Sequence, residues 1–482
     1  MACLLSTPTE ILRIIFASLS HSDLAAVCLT HRDLRFPAEP FLYAHIQWTW
    51  TDSQHPPIAQ FLRTIIRRPD LATYVHNVVL NGDSFDKGTY DPGNERPKIP
   101  VTEPVANELV ELVAKINVPF AEEWIQKLRA GSMDAFTTLF ISQLHDVKRL
   151  YLDKNFNRET NLRGMMLRSA LCEESTNSHL SSFARLEDVS ADSPCLHYNI
   201  RRQTQKRNAQ DILPVFYLPS VKRIRALVDS PATFAWIGRN PPNPRSLTTL
   251  DLTSLREKHL GQVLSVIPRL QKLEWDWHYR WDLRDDCVTD IIDLDRIAAG
   301  LSHVKETLTD LTITAGSERS KDDLEDPDVQ FSGSFKVFSG LQNLKLLQVP
   351  IPFLLGFSPS ESKANHLPVA LPPSLEWLIL TDDFSSNEQW QWEWEQDYLL
   401  GVIRSWLQDW KRRTPNLRGF RLLESEMRTI GYQPDMIQAL RDLGTQSGIE
   451  VQITDMKPRW SGHMLRDPNY DTVPTIPQPM FL

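Results

Sequence analysis

A short pattern of apolar and polar positions recurs along most of the chain. It has an apolar residue, two other residues, a second apolar residue, one further residue and usually a third apolar one, as in VKRLYL at 147–152. Clear copies begin at Val75, Val147, Leu247, Leu270, Leu308, Leu341, Leu375 and Leu417, and weaker copies begin at Phe183 and Val221. Helix-compatible segments fill most of the gaps between copies. Such repetition predicts a stacked α/β solenoid of strand and helix units.

Each copy is expected to form one strand, whose side chains alternate between two faces. In the copy at 147–152, Leu150 and Leu152 would then be buried while neighbouring residues lie on an open face. That open face is predicted to bind a protein substrate through outward residues of successive strands: Arg149, Tyr151, Asp153, Arg223, Arg225, Thr249, Asp251, Lys272, Glu274, Asp276, Asp310, Thr312, Trp377 and Ile379. Arginine and aromatic residues often dominate protein recognition.

Aromatic residues cluster after the strand that begins near Leu270. Their side chains are predicted to lie at the rim of the open face and to contribute to substrate binding: Trp275, Trp277, Tyr279 and Trp281. The competing interpretation is that these residues pack as ordinary bulky side chains, and that Trp377 is covered by a loop or by the end of the chain. The sequence leaves both interpretations open.

The first part of the chain has helical periodicity instead. Thr7 and Glu10 have the spacing of a capping box around a helix whose first position is Pro8, and Ser20 can cap a second helix. The apolar residues that follow these signals fall at helical spacing: Ile11, Leu12, Ile15, Phe16, Leu19, Leu24, Val27 and Cys28. Two or three short helices bury little surface by themselves. Their apolar faces therefore need a partner, either in this chain or in another protein.

These patterns divide the chain into four parts. Residues 1–48 form a helical module, and residues 49–146 hold a first repeat-like strand with a long loop and helices. The main solenoid is expected at 147–456, and a proline-rich tail follows at 457–482.

Composition narrows the classes of partner. The chain has 482 residues, of which 41% are hydrophobic and 23% charged, as is usual for a globular protein. A net charge of −9 argues against nucleic acid or an anionic membrane as the main partner. The five cysteines are widely spaced and odd in number, which predicts reduced thiols and a cytoplasmic or nuclear location. Neither a secretory signal nor a membrane-spanning run is expected.

No common catalytic framework is visible in the sequence. The chain lacks GxGxxG, GxxxxGK[ST], GxSxG and HExxH, and its histidines show no metal-ligand spacing. We therefore expect neither catalytic residues nor a metal or cofactor. An enzyme with a dispersed active site would require a deep pocket with several convergent titratable groups.

Residues 5–48 resemble an F-box. That family has a Pro, then Glu-Ile-Leu, an Ile-Phe pair, a Leu, an Asp-Leu and a Val-Cys; here these are Pro8, Glu10-Ile11-Leu12, Ile15-Phe16, Leu19, Asp23-Leu24 and Val27-Cys28. The repeated strand pattern resembles the LxxLxL core of leucine-rich repeats in an irregular form. F-box proteins commonly carry such a solenoid behind the helical module.

The resemblance implies a receptor with two binding surfaces. Its helical module would dock on a Skp-type adaptor that leads to a cullin, through Pro8, Ile11, Leu12, Ile15, Phe16, Leu19, Asp23, Leu24, Val27 and Cys28. Its solenoid would hold an unidentified protein substrate for ubiquitination, without catalytic residues of its own. The chain would then be the substrate-recognition subunit of a Skp–cullin–F-box ubiquitin ligase.

The alternative is a non-catalytic solenoid scaffold whose amino-terminal helices only cap the repeats. Terminal repeats of solenoids do require such capping. Exposure separates the two hypotheses. A cap would bury Ile11, Ile15, Phe16 and Leu24 against residues 58–80, whereas an F-box leaves part of that face open.

Overall fold

A long parallel β-sheet is the main feature of the computed structural model. The structure describes residues 4–51, 54–82, 98–153, 156, 161–173, 178–191, 208–280, 288–318, 329–357, 367, 370–384, 396–425 and 434–456. Within these residues the sheet has twelve strands, and their order in space follows their order in the chain. This succession is the architecture of a solenoid, in which each repeat contacts only its neighbours.

The strands of the large sheet are β1 (His45–Thr49), β2 (Asn77–Asn81), β3 (Arg149–Leu152), β4 (Asp188–Ala191), β5 (Arg223–Leu227), β6 (Thr249–Thr253), β7 (Lys272–Arg280), β9 (Asp310–Glu318), β11 (Leu346–Pro350), β12 (Trp377–Thr381), β13 (Gly419–Ser425) and β14 (Glu450–Met456). Every neighbouring pair in this sheet is parallel. A separate parallel pair consists of β8 (Ile291–Asp293) and β10 (Gln330–Ser332).

Helices occupy the connections between strands. Three of the described helices precede the sheet: α1 (Thr9–Ala17), α2 (His21–Thr30) and α3 (Arg32–Ala44). The others are α4 (Ile58–Arg67), α5 (Glu103–Ile116), α6 (Ala121–Arg129), α7 (Met133–Ser142), α8 (Asn161–Leu171), α9 (Ala209–Ile212), α10 (Glu257–Leu264), α11 (Leu294–Ser302), α12 (Pro352–Leu355), α13 (Gln396–Gln408), α14 (Trp410–Arg413) and α15 (Pro434–Ser447). Short 3-10 helices include Pro69–Tyr74. Among the helices described, none combines the length and apolar character needed to cross a bilayer.

The repeated pattern locates the strands correctly. Each of the ten copies leads into a strand of the large sheet, which confirms the solenoid prediction. In β3, Leu150 and Leu152 are buried, Arg149 is exposed and Tyr151 is half-buried. The apolar positions of all repeats join one continuous hydrophobic core that runs under the sheet.

The amino-terminal helices form a module with a core of its own. Its buried residues are Leu12, Phe16, Leu24, Leu34 and Ala38, and they form a cluster separate from the core of the solenoid. The last helix of the module, α3, ends at Ala44. β1 begins at His45, within the predicted range 1–48, and pairs with β2.

The capping prediction is wrong for the first helix and correct for the second. Pro8 is itself the N-cap of α1 and no side chain caps that end, so Thr7 and Glu10 form no capping box. Ser20 Oγ accepts a hydrogen bond from the Asp23 backbone N–H at 3.2 Å, which is the expected cap of α2.

An ion-pair network joins the helical module to the solenoid. Glu39 lies in α3 and is almost fully buried; its Oε1 accepts from Arg35 Nε at 2.7 Å and its Oε2 from Arg68 Nη2 at 2.9 Å. Arg68 precedes the 3-10 helix and also pairs with Asp70 at 2.7 Å. Because Glu39 needs both arginines, the network favours one orientation of α3 on the first repeat.

Candidate protein-binding surfaces

Exposed apolar side chains concentrate in the helical module. Of the nine large hydrophobic side chains that are exposed among the described residues, seven lie between residues 4 and 36. They are Leu4, Leu5, Ile11, Ile14, Ile15, Leu29 and Phe36, and we call this set the exposed apolar group. Ile14, Leu29 and Phe36 are the most open, with 69%, 75% and 76% of their surface exposed. Such a concentration on one small module makes it a candidate interaction surface.

The residues predicted to bind an adaptor divide into two sets in the structure. Pro8, Ile11, Ile15 and Asp23 are exposed, and Leu19, Val27 and Cys28 are half-buried. Leu12, Phe16 and Leu24 are buried, each with 5% exposure or less, inside the core of the module. These three do not lie on its surface, because helical spacing turns them toward α3. The prediction that they contact a partner directly is therefore corrected.

Sequence reasoning missed part of the exposed apolar group. Ile14 lies three residues after Ile11 and one before Ile15, so the three share the outer side of α1. Leu29 is at the end of α2 and Phe36 is in α3, on either side of the junction at His31. The sequence did contain a signal for these exposed residues. In α1, apolar residues occur not only on the side that is buried but also on the opposite side, at Ile11, Ile14 and Ile15.

The open face of the sheet carries charged side chains that largely pair with one another. Arg225 Nε lies 2.7 Å from Asp251 Oδ2 on the next strand, and Lys272 Nζ lies 2.7 Å from Glu274 Oε1 within β7. The register places Arg225, Asp251 and Glu274 side by side on β5, β6 and β7. The open face thus mixes charges of both signs rather than presenting a field of one sign.

The structure places the other predicted outward residues as follows: Arg149 is exposed; Arg223, Thr249, Asp310 and Thr312 are half-buried; Asp276 and Ile379 are buried. Asp153 is half-buried, and its Oδ2 accepts from the Gly82 backbone N–H at 3.1 Å. Trp281 lies outside the described residues, as does the tail at 457–482.

Trp377 lies on the open face across the backbone of the neighbouring strand. It is half-buried at the start of β12, and Gly419 is its register partner on β13. A Cβ atom at Gly419 would lie 2.7 Å from Trp377 Cζ3, which is too close for a real contact. Glycine is therefore required for the indole to rest there, and Trp377 remains a candidate for substrate contact.

The predicted rim positions of Trp275 and Trp277 are wrong. Both side chains are fully buried on the core side of β7, with 1% and 0% exposure. The strand continues to Arg280, so alternation places Trp275, Trp277 and Tyr279 on the inner face. Trp275 Nε1 donates to the Leu255 carbonyl at 2.7 Å. The competing interpretation, that these residues pack as core, is correct for this cluster.

A buried ion pair packs against the Trp277 ring, and no pattern in the sequence predicted it. The Arg256 guanidinium lies 4.2 Å from the centre of the indole ring, and its Nε is 3.1 Å from Glu257 Oε2. The same carboxylate accepts from Trp277 Nε1 at 3.1 Å. Arg256 also donates to the carbonyls of Thr289 and Ile291 at 2.9 and 3.1 Å. These bonds tie the amino-terminal end of α10 to β7, to Thr289 and to the first residue of β8.

Buried carboxyl groups gather at the carboxyl ends of the strands. Asp383 follows β12, and its Oδ2 accepts from the Ala315 backbone N–H at 3.0 Å. Burial, followed by the charges of Asp382 and Asp276, raises the pKa of Asp383 to about 7. Within the part of the chain that the structure describes, no three His, Cys, Asp or Glu side chains are arranged to hold a metal ion.

A parallel sheet that follows the chain, over one continuous core, defines a repeat solenoid. The chain belongs to the leucine-rich repeat domain family, whose model matches residues 52–458. Folds of this family typically serve as protein-interaction scaffolds without catalytic activity. No curated protein sequence matches the chain. One similar solved structure is that of a protein from Bacteroides fragilis, with 14% identity and a TM-score of 0.28 over 68% of this chain and 71% of that one.

Proposed function

We propose that the protein is the substrate-recognition subunit of a Skp–cullin–F-box ubiquitin ligase. The helical module would bind the adaptor, and the leucine-rich repeat solenoid would bind a protein substrate. The observation that carries this proposal is the exposed apolar group on a module that already has its own core. These exposed side chains are not part of the core of the module. A partner that removes them from water would therefore gain free energy of binding.

The exposure of α1 favours docking over capping. A cap would bury Ile11 and Ile15 against the first repeat, yet they are 47% and 37% exposed. The module meets the solenoid through α3 instead, where Tyr43 packs on Phe61 with ring centres 6.1 Å apart. Contact with the solenoid through α3 leaves the outer side of α1 available to a second protein.

Aspartate substitution of exposed residues tests the proposal. Ile14→Asp and Phe36→Asp each place a charge in the proposed interface while leaving the buried core unchanged. We expect each to weaken binding of a purified Skp-type adaptor by about tenfold or more, because unpaired buried charges and lost apolar anchors each cost more than about 1.4 kcal/mol. Surface plasmon resonance with the full chain measures this change.

Ile291→Asp is the matched control, because Ile291 is 42% exposed but lies in β8 of the solenoid. Its adaptor affinity should equal that of the wild type. Leu12→Asp and Leu24→Asp are poorer tests, since they disrupt the core of the module and would abolish binding indirectly. Wild-type affinity in both Ile14→Asp and Phe36→Asp would refute the adaptor-binding role.

A further inference from the structure

The last strand of the large sheet, β14, has one edge without a neighbouring strand. Its other edge pairs with β13 along all seven residues of the strand. The Glu450 backbone N–H donates to the Arg418 carbonyl, immediately before β13, at 2.9 Å. Because successive residues of a strand direct their peptide groups to opposite edges, those of Val451 and Ile453 face away from β13. Within the part of the chain that the structure describes, no segment pairs with this outer edge.

The hydrophobic core is closed at the first end of the sheet and incompletely covered at the last. In β1, the inward side chains of Ile46 and Trp48 are buried, with 6% and 2% exposure. Val451 and Ile453 occupy the matching positions of β14, where they pack against the core but are only half-buried. A further strand beside β14 would therefore remove apolar surface from water.

The outer edge of β14 also lacks common features that prevent strand pairing. Natural edge strands are often interrupted by a bulge, a proline or an inward-pointing charge. Over residues 450–454, β14 has none of these: each residue is in register with β13, there is no proline, and the inward side chains are a valine and an isoleucine. This part of the edge is therefore suited to backbone pairing.

We propose that β14 pairs antiparallel with β14 of a second copy of this chain, about a two-fold axis. In the proposed register, Val451 of each copy lies opposite Ile453 of the other, and the axis passes between the two Gln452 residues. The outward peptide groups of Val451 and Ile453 would then exchange both N–H···O=C bonds of each hydrogen-bonded pair. The same register brings the inward valine and isoleucine side chains together across the interface, as a two-fold contact requires.

The charges of β14 fit this register. Glu450 and Thr454 are both exposed on the open face of the sheet. In the proposed pair, each Glu450 lies opposite Thr454 of the other copy, so the two carboxylates do not face each other. Like charges directly opposite each other would destabilise a strand pair. The edge is thus complementary to itself, which favours a second copy over an unrelated strand. This inference does not depend on the proposed adaptor binding.

Charge substitutions at Thr454 test the register on the full chain, with sedimentation equilibrium over a range of protein concentrations. We expect the wild type to form a dimer with a micromolar dissociation constant. Thr454→Glu would place a second acid opposite each Glu450 and should weaken the dimer about threefold or more at low salt. Thr454→Lys would place a base there and should strengthen it by a similar factor.

A proline substitution tests the backbone pairing itself. Ile453→Pro removes an N–H that faces away from β13, so it should abolish the dimer without removing a hydrogen bond of the sheet. Thr49→Glu is the matched control, because Thr49 is the fifth residue of β1 as Thr454 is of β14. It should leave the dimer unchanged. Ile14→Asp should also leave it unchanged, which separates pairing of β14 from association through the exposed apolar group.

Several outcomes would overturn the proposal. They are a monomeric wild type, a change in the same direction for Thr454→Glu and Thr454→Lys, or a dimer that Ile14→Asp abolishes and Ile453→Pro retains. Hydrogen exchange gives a second measurement, since the amides of Val451 and Ile453 should become better protected as the protein concentration rises. Protection that is independent of concentration would also overturn the proposal, in favour of pairing with another segment of the same chain.

Discussion

Replacing Asp383 with asparagine should stabilise the protein at neutral and alkaline pH. The carboxyl group is buried, accepts one hydrogen bond from the Ala315 backbone N–H, and lies near the charges of Asp382 and Asp276. Asparagine has nearly the same shape, and its side-chain oxygen can accept the same hydrogen bond. The substitution therefore removes the buried charge and keeps the contact.

The magnitude follows from the pKa of the folded state. Burial is the main cause that raises the pKa of Asp383 from its usual 3.8 to about 7. Each tenfold change in proton affinity corresponds to about 1.4 kcal/mol, so ionisation of this group costs the folded state on the order of 4 kcal/mol. Because the folded pKa is raised, the stabilisation from the bound proton is complete below 3.8 and is lost as the pH rises through about 7.

Urea denaturation followed by tryptophan fluorescence measures the effect. The free energy of unfolding of Asp383→Asn should match that of the wild type near pH 4 and exceed it by roughly 4 kcal/mol near pH 8. Asp409→Asn, at an exposed position, is the control and should show no such divergence. Parallel curves for Asp383→Asn and wild type across this pH range would refute the reasoning.

Two further substitutions test the packing of the repeats. Gly419→Ala should destabilise the protein by about 1–3 kcal/mol, because the added Cβ would meet the Trp377 ring and the Glu450 carbonyl oxygen at less than 3 Å; thermal unfolding and near-UV circular dichroism report the change. Glu257→Ala should cost about 3–5 kcal/mol, because Arg256 would be left buried without its carboxylate, and Glu257→Gln should cost less in the same denaturation assay.

The strands were predictable from the sequence, except at the two ends of the sheet. β1 has Tyr43, Ile46 and Trp48 at the positions that other copies fill mainly with leucine or valine, so aromatic residues obscure the pattern. Before β14, Gly448 stands at the first of these positions, with a positive φ of 71°. Terminal repeats pack on one neighbour only, which relaxes their requirement for the standard apolar residues.

The candidate binding surfaces were harder to predict, because exposure depends on contacts between distant segments. Helical spacing identifies an apolar side of α1, but Leu12 is buried only because α3 folds against it, and Ile14 remains outside. The position of the tryptophans in β7 gives a second example. The alternation of Trp275 and Trp277 with Asp276 and His278 already indicated a continuing strand. The large size of the aromatic side chains nevertheless led to the prediction that they lie at the rim of the open face. Alternation was the more reliable signal there.

The agreement between strand order and chain order also determines how the molecule would respond to force. Each strand of the large sheet is hydrogen-bonded only to the strands of that sheet before and after it in the chain, so tension applied to the two ends would detach repeats successively. β7 and β9 pair along nine residues each, whereas β3 is only four residues long. The longest hydrogen-bonded ladder between two strands therefore lies in the middle of the sheet. Pulled from either end, the solenoid would lose its outer repeats first and keep its central pair of strands longest.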